Sequence, residues 1–325
     1  MYRFFRKRGR RYCFLQGIVK LCSFLASNSL QMVLFKKATD LCNHLEIQRK
    51  QGKKYGLVPT MGALHKGHIS LMNNSKQVDD LSVSSIFVNP TQFNDAADFE
   101  KYPVTMEKDI ALLEAADCDV LFVPSIAEMY PRGTRMAYHY DLGYFETILE
   151  GQYRPGHFQG VCEAVHRLLE IVKPDNLYIG QKDYQQCMVI KKLIKLIGME
   201  ELINLYISPT VREAGGLAMS SRNMRLNENE RIKARAVYLA LQSIKDQIHK
   251  GELGTIKNKA VHGLIEKGFR VDYVEIADAA DLQIIEKWDG KQKLVALAAV
   301  HLNQVRLIDN IFLNPVSEVS DVFKV

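Results

Sequence analysis

From Met32 onward the chain alternates between two hydrophobic patterns. Short runs rich in β-branched and aromatic residues predict buried strands at Tyr55–Pro59, Ser82–Val88, Asp119–Val123, Asn176–Ile179 and Leu202–Ile207. Between them, apolar residues recurring with a 3.6-residue period predict helices near 36–51, 66–77, 104–116, 158–172 and 184–197, the fourth stopped before Pro174. Parallel strands need long crossovers, usually helical, so this alternation predicts a parallel sheet in an α/β domain. After Ser208-Pro209 the texture changes. A long charged helix near 227–250, another near 255–267, and strands at Val271–Ile276, Leu294–Val300 and Gln304–Ile308 predict a smaller second α/β domain, with the boundary near 208. The chain thus divides into an extension at 1–31, a domain at 32–208 and a domain at 209–325. Its 325 residues exceed the usual single-domain size, which agrees with two domains. No internal repeat, low-complexity tract or long linker separates them.

With 47% hydrophobic and 25% charged residues the balance is that of a globular protein with a real core, which argues against a disordered or fibrous chain. A net charge of +6 would raise the question of nucleic acid. Seven of the basic residues, Arg3, Arg6, Lys7, Arg8, Arg10, Arg11 and Lys20, lie in residues 1–31, which hold no acid, so the remainder sits at −1. The basicity belongs to that terminal segment, and no nucleic-acid partner is expected. Six cysteines without a C-x-x-C pair indicate neither a zinc ribbon nor a disulfide framework, so a reducing, cytoplasmic setting is expected. The opening segment imitates a secretory signal, but Lys20 interrupts its apolar run. The favoured reading is translated sequence upstream of a start at Met32; a targeting peptide is the alternative. No stretch approaches the roughly 18 apolar residues of a spanning helix, so no membrane association is expected.

The sharpest local signal is VPTMGALHKGH at 58–68. A buried-type strand ends, Gly62 permits a tight turn, and His65 and His68 arrive as a helix begins. Strand ends in open α/β sheets form the ligand crevice, and a helix N-terminus offers amides and a positive dipole end to a phosphate. The dipole disfavours imidazolium, so both histidines are expected neutral in the free protein. A zinc pair lacks a third ligand at suitable spacing and the HExxH pattern is absent; no Walker A or GxGxxG sequence occurs. GLAMSSRN at 216–223 follows Gly215 and offers Ser220, Ser221 and the forked guanidinium of Arg222 as a mobile phosphate clamp. FVNPTQF at 87–93 and YIGQKDYQQ at 178–186 fall at carboxyl ends of strands. There Lys182 can meet phosphate, Asp183 can hold a ribose or a magnesium-bound water, and Gln92 and Gln186 can bind a polar substrate.

The ordered set PTMGALHKGH, FVNPTQF, RPGHFQGV, GQKDYQQ and MSSRN resembles the pantothenate synthetase (pantoate–β-alanine ligase) family over nearly all of residues 32–312. That resemblance implies an adenylate-forming ligase of the nucleotidyltransferase superfamily, with a Rossmann-like N-terminal domain through which it dimerises and a smaller C-terminal domain. Its substrates would be ATP with Mg2+, pantoate and β-alanine. By motif, Met61, Gly62, Ala63, Leu64, His65, Lys66, Gly67 and His68 would line the ATP site, with Gly180, Gln181, Lys182, Asp183, Val211, Met219, Ser220, Ser221 and Arg222. His68 would be the catalytic histidine, assisted by His65, Lys182, Ser220, Ser221 and Arg222. Gln92, Gln186, Asn89 and Arg154 would hold substrate; the magnesium ligands are left open. Lys66, where many members carry an acid, and Gln181, where Glu is frequent, depart from the family pattern without removing a required group. Two rivals stay open: a nucleotidyltransferase that leaves the nucleotide on its product, and a non-catalytic nucleotide-binding regulator.

Overall fold

The computed structural model describes residues 32–134, 138–314 and 323–324; the extension 1–31 and its two readings lie outside the described residues. The N-terminal half alternates β1 (Val33–Phe35), α1 (Ala38–Lys50), β2 (Tyr55–Thr60), α2 (Lys66–Val78), β3 (Leu81–Ile86), α3 (Met106–Ala115), β4 (Val120–Phe122), α4 (His157–Val172), β5 (Asn176–Gly180), α5 (Tyr184–Leu196) and β6 (Asn204–Ser208). The strands form one parallel sheet in the order β1-β4-β3-β2-β5-β6, extended at β6 by the antiparallel pair Phe323–Lys324. Each predicted strand and helix of this half is present, with ends shifted by a few residues. The strand β1 was missed because three residues carry too little periodicity to be read.

Both faces of the sheet are covered, as a parallel sheet requires. Leu57 of β2 packs into the cluster containing Leu41, Leu169 and Leu193, from α1, α4 and α5. Its neighbour Val58 points the other way, into a cluster with Met72 of α2 and Leu113 of α3. Helix α4 is buried nearly all round, His157, Gln159 and Glu163 included. A helix of that kind is an internal element between two layers rather than a surface one.

The C-terminal part holds α6 (Glu228–Gln247), α7 (Gly254–Glu266) and an antiparallel sheet β11-β10-β8, made of β8 (Arg270–Asp278), β10 (Leu294–Leu302) and β11 (Val305–Phe312); a two-residue ribbon pairs β7 (Gly251–Glu252) with β9 (Lys287–Trp288). Asn227 starts α6 through a capping box with Glu230, each side chain receiving the other's amide at 2.9 Å. One face of this sheet packs on α6 and α7 through Leu241, Leu264, Ile276 and Val300. From the other face Val295 and Leu297 enter the N-terminal cluster. The last strand runs four residues beyond its expected end at Ile308, and those extra residues include Asp309 and Asn310.

The order β3-β2-β5-β6 places the switch in chain direction between β2 and β5. These two strands pair only at Gly56–Asn176 and Leu57–Leu177, so their carboxyl ends part. The crevice left there is the position at which open α/β sheets bind ligands.

Candidate active site

The turn after β2 forms one wall of the crevice. Gly62 and Ala63 both have positive φ, 79° and 49°. At Gly62 a Cβ would stand 3.1 Å from the Asp109 carboxylate and 3.2 Å from Ile86. Asp109, on α3 and 1% exposed, accepts the amides of Ala63 (2.8 Å) and Leu64 (2.7 Å) and the Thr105 hydroxyl (3.0 Å). A buried carboxylate with three donors is well satisfied, and here it stabilises an otherwise unfavourable αL residue.

His65 caps α2: its Nδ1 accepts the amide of Gly67 at 3.1 Å, while His68 Nδ1 accepts the amide of His65 at 3.3 Å. The rings lie 4.1 Å apart. A neutral imidazole that accepts at Nδ1 carries its proton at Nε2, so both rings present Nε2–H. Burial first, and Lys182 second, push the His65 pKa down to about 4. Burial, then the neighbouring His65, push His68 down to about 3. The neutral state expected from the helix dipole therefore has desolvation as its main cause. The expectation of amides free for phosphate is corrected at Gly67, whose N–H is taken by the cap, while the imidazoles keep their Nε2–H groups.

The second wall follows β5. Lys182 and Asp183 leave the strand on a short 3-10 turn, with Lys182 Nζ 3.2 Å from the Asp183 carboxylate. Burial raises the Asp183 pKa, but Lys182, Arg222 and Arg154 outweigh it and hold the carboxyl below its usual range.

The third wall comes from the C-terminal part. Ser220 caps the turn Ser221–Arg225 by accepting the Arg222 amide at 3.3 Å. Ser221 is 8% exposed and donates its hydroxyl proton to the Ala63 carbonyl at 3.0 Å. In this conformation it joins two loops rather than offering a free hydroxyl donor. Arg222 and Arg225 share the carboxylate of Asp98, at 2.8 and 3.0 Å.

At the inner end, Asn89 is 1% exposed and fully engaged. Its amide nitrogen donates to Gln92 Oε1 (3.1 Å) and the Gly160 carbonyl (3.0 Å), and its oxygen accepts from Tyr130 (2.7 Å) and Thr91 (2.9 Å). Asn89, expected to bind substrate, lines the cavity and also holds Gln92 in place. Gly160 permits this packing, since a Cβ there would meet the Thr91 carbonyl at 2.3 Å. His157 donates from Nδ1 to the Gln92 carbonyl at 2.8 Å and accepts from Arg154 at its Nε2, 3.1 Å. Arg154 is buried enough to fall to about 10, yet stays charged at neutral pH. Gln186 takes no side-chain hydrogen bond among the described residues.

These walls enclose a cavity of about 230 Å3. Of the residues expected at the site, Met61, His65, Gly67, His68, Asn89, Gln92, Arg154, Gly180, Lys182, Asp183, Gln186, Val211, Met219, Ser220, Ser221 and Arg222 line it. A wider cleft of about 550 Å3 adjoins it and shares Arg154, Lys182, Asp183, Ser220 and Arg222. Gly62, Ala63, Leu64, Lys66 and Gln181 do not reach the inner cavity. The first three are buried in the pinned turn, Lys66 points to solvent, and Gln181 faces β11. Sequence reasoning gave no role to Asp98, Asp109, His157 or Asn310. Only His157 had a signal, its place in RPGHFQGV; the others act across long sequence separations.

A doubly wound sheet whose switch-point crevice gathers two neutral imidazoles, a lysine and an arginine defines an α/β enzyme with a nucleotidyltransferase-like fold. The chain belongs to the pantoate–β-alanine ligase family, whose model matches residues 33–312. It is 41% identical over 284 residues to the pantothenate synthetase of Cytophaga hutchinsonii, covering 86% of this chain and 99% of that protein. With the pantothenate synthetase of Acetivibrio thermocellus the identity is 44% over 283 residues, 86% and 99% of the two chains. Among solved structures, pantothenate synthetase from Thermus thermophilus superposes with a TM-score of 0.79 at 35% identity, covering 87% of this chain and all of that one (100%). Pantoate-β-alanine ligase from Francisella tularensis, solved in complex with β-γ ATP and β-alanine, gives 0.73 at 36% identity over 89% and 99% of the chains.

Proposed function

We propose that this chain condenses pantoate with β-alanine at the expense of ATP, giving pantothenate, AMP and diphosphate through a pantoyl-adenylate intermediate. The observation that carries this reading is the convergence on one cavity of His65, His68, Lys182 and Arg222 with the amide side chains of Gln92 and Gln186. Cations and N–H donors suit a triphosphate; two carboxamides suit a small hydroxy acid.

In the first step a pantoate carboxylate oxygen, held near Gln92 and Gln186, attacks the α-phosphorus. The P–O bond to the β-phosphate breaks and diphosphate leaves. In the second, the neutral amine of β-alanine attacks the acyl carbon, the C–O bond to AMP breaks, and the ammonium proton passes to solvent. AMP leaves readily where oxide would not. Little covalent chemistry falls to the protein, so its part is positioning and charge stabilisation. His65 and His68 donate from Nε2–H to phosphate oxygens; Lys182, Ser220 and Arg222 meet the rest. For Arg222 this means exchanging the Asp98 carboxylate for phosphate. Ser221 contributes its amide and its grip on Ala63.

Among the described residues no group of three or more His, Cys, Asp or Glu side chains is placed to hold a metal. Of the described carboxylates, Asp183 lines the inner cavity while Asp98 is taken by Arg222 and Arg225, which fits an ion carried in largely on the nucleotide. Bound there, Mg2+ would neutralise charge on the leaving diphosphate.

The division at 208/209 belongs to the same proposal, with 32–208 binding ATP and pantoate and 209–325 carrying the phosphate loop. So do dimerisation through the N-terminal domain and a cytoplasmic setting. The described cysteines, Cys42, Cys118, Cys162 and Cys187, are all free, and no described helix is long and apolar enough to cross a membrane.

The test is AMP and diphosphate release from ATP, Mg2+ and pantoate, with and without β-alanine. AMP that appears with both acids supports the ligase. Nucleotide retained on the product points to a nucleotidyltransferase, and ATP binding without turnover points to a regulator.

A further inference from the structure

The turn that carries Lys182 has no cap of its own. No side chain caps Gln181–Asp183, and Asp183 makes no side-chain cap to α5. The hydrogen bonds come from the other half of the chain. Asn310 on β11, 2% exposed, donates both amide hydrogens, to the carbonyls of Gln181 and Lys182, each at 2.9 Å. Its oxygen accepts from Gln181 Nε2 at 3.1 Å. A primary amide has two donors, so the group is fully used on this one turn.

The preceding residue reaches the opposite wall. Asp309 receives Arg212 bidentately, at 2.6 and 2.9 Å, and accepts the Asn310 backbone N–H at 2.8 Å. Arg212 also donates to the carbonyls of Gly216 (2.9 Å) and Asn310 (3.2 Å) and lies 4.2 Å over the Tyr238 ring. Arg212 forms an isolated antiparallel bridge with Ala218, and the chain runs on directly into Met219–Arg222. The two walls of the phosphate end therefore hang from adjacent residues of one strand.

We propose that Asp309–Asn310 is a positioning pair for the phosphate end, fixing Lys182 relative to Ser220 and Arg222. It rests on the assignment of Lys182 to the ATP phosphates. A lysine is a point charge on a flexible stem, so the protein controls its ammonium chiefly by fixing the backbone beneath it. A small misplacement of a binding group is costly in a preorganised site.

The test is a double-mutant cycle on the full-length chain, read as the ATP dissociation constant by titration calorimetry. Asn310→Asp keeps the shape and the acceptor for Gln181 but removes both donors and sets a carboxylate against two carbonyls. ATP binding is expected to weaken about tenfold, which is ~1.4 kcal/mol. In a Lys182→Ala background the same change should weaken it less than about twofold, because its effect runs through Lys182. Losses that multiply in the two backgrounds indicate a general structural role and overturn the proposal. If Lys182→Ala alone leaves ATP affinity intact, the assignment beneath fails and the pair's role with it. Should Asn310→Asp not fold, Asn310→Ser leaves one hydroxyl for one of the two carbonyls; an intermediate loss, again absent without Lys182, is expected, and a loss that persists overturns the inference.

Discussion

Ser221 Oγ donates to the Ala63 carbonyl at 3.0 Å, closing the MSSRN loop onto the histidine turn across 158 residues of sequence. Ser221→Ala leaves that buried carbonyl without its partner, which should cost about 1–3 kcal/mol. A loop untied from the turn admits water to the adenylate. The expected signature is AMP release from ATP and pantoate without β-alanine, increased several-fold over the parent and restored towards it in Ser221→Thr. Unchanged β-alanine dependence in Ser221→Ala would refute the tie as a water barrier.

His68 combines a capping bond with a free Nε2–H. In His68→Ala the fold should lose no more than about 1 kcal/mol, the typical cost of a helix cap. The single-turnover rate of adenylate formation should fall by about a hundredfold or more, as when one preorganised donor is removed from a reacting oxyanion. A melting curve and a rapid-quench time course separate the two effects, and a retained rate would remove His68 from the mechanism.

His157 should make the fold acid-sensitive. Burial, reinforced by Arg154, pushes its pKa from 6.5 down to about 3. The unfolded chain therefore binds the proton first as pH falls. The stability contributed by neutral His157 is complete above pH 6.5 and is lost progressively as pH falls toward 3, at up to about 1.4 kcal/mol per pH unit. In calorimetric melts, the advantage of the parent over His157→Gln should shrink between pH 7 and pH 4.5. A gap that stays constant or widens would contradict the assignment.

Glu150 and Arg306 form a bidentate pair at 2.6 and 2.8 Å between the helical turn Leu149–Tyr153 and β11, and Tyr273 donates to the same carboxylate at 2.9 Å. Both charges are largely removed from water. Glu150→Ala leaves Arg306 with only Asp272, at 2.8 Å, and should destabilise by about 3 kcal/mol, the low end for breaking a buried pair, whereas Glu150→Leu combined with Arg306→Met should recover part of that loss. Thermal unfolding of the single and double variants tests this; a double variant no more stable than Glu150→Ala would argue against it.

Much of this was readable in the chain. Tyr55–Pro59 and Asn176–Ile179 announce themselves as strands because residues buried on both faces of a sheet are predominantly apolar. His65 and His68 stand out because a strand–turn–helix context gives their spacing a purpose. What escaped was long-range. Asp98, Asp109 and Asn310 are ordinary polar residues in sequence, and only packing brings them against Arg222, Ala63 and Lys182. Asn89 is legible as a carboxamide beside Gln92, but its second part, bracing Gln92 against Gly160 and Tyr130, is set by packing alone.

The sequence by itself determined the order of strands and helices, the parallel class of the sheet, and which loops carry donors and cations. These follow from hydrophobic period and turn chemistry, which are local. The tertiary structure decided how those groups are already engaged: Gly67 N–H taken by the His65 cap with Nε2–H left to the imidazoles, Asn89 bonded to Gln92, Arg222 held by Asp98. A donor or acceptor is satisfied by whatever lies within about 3 Å, and that neighbour is set by the fold rather than by proximity along the chain.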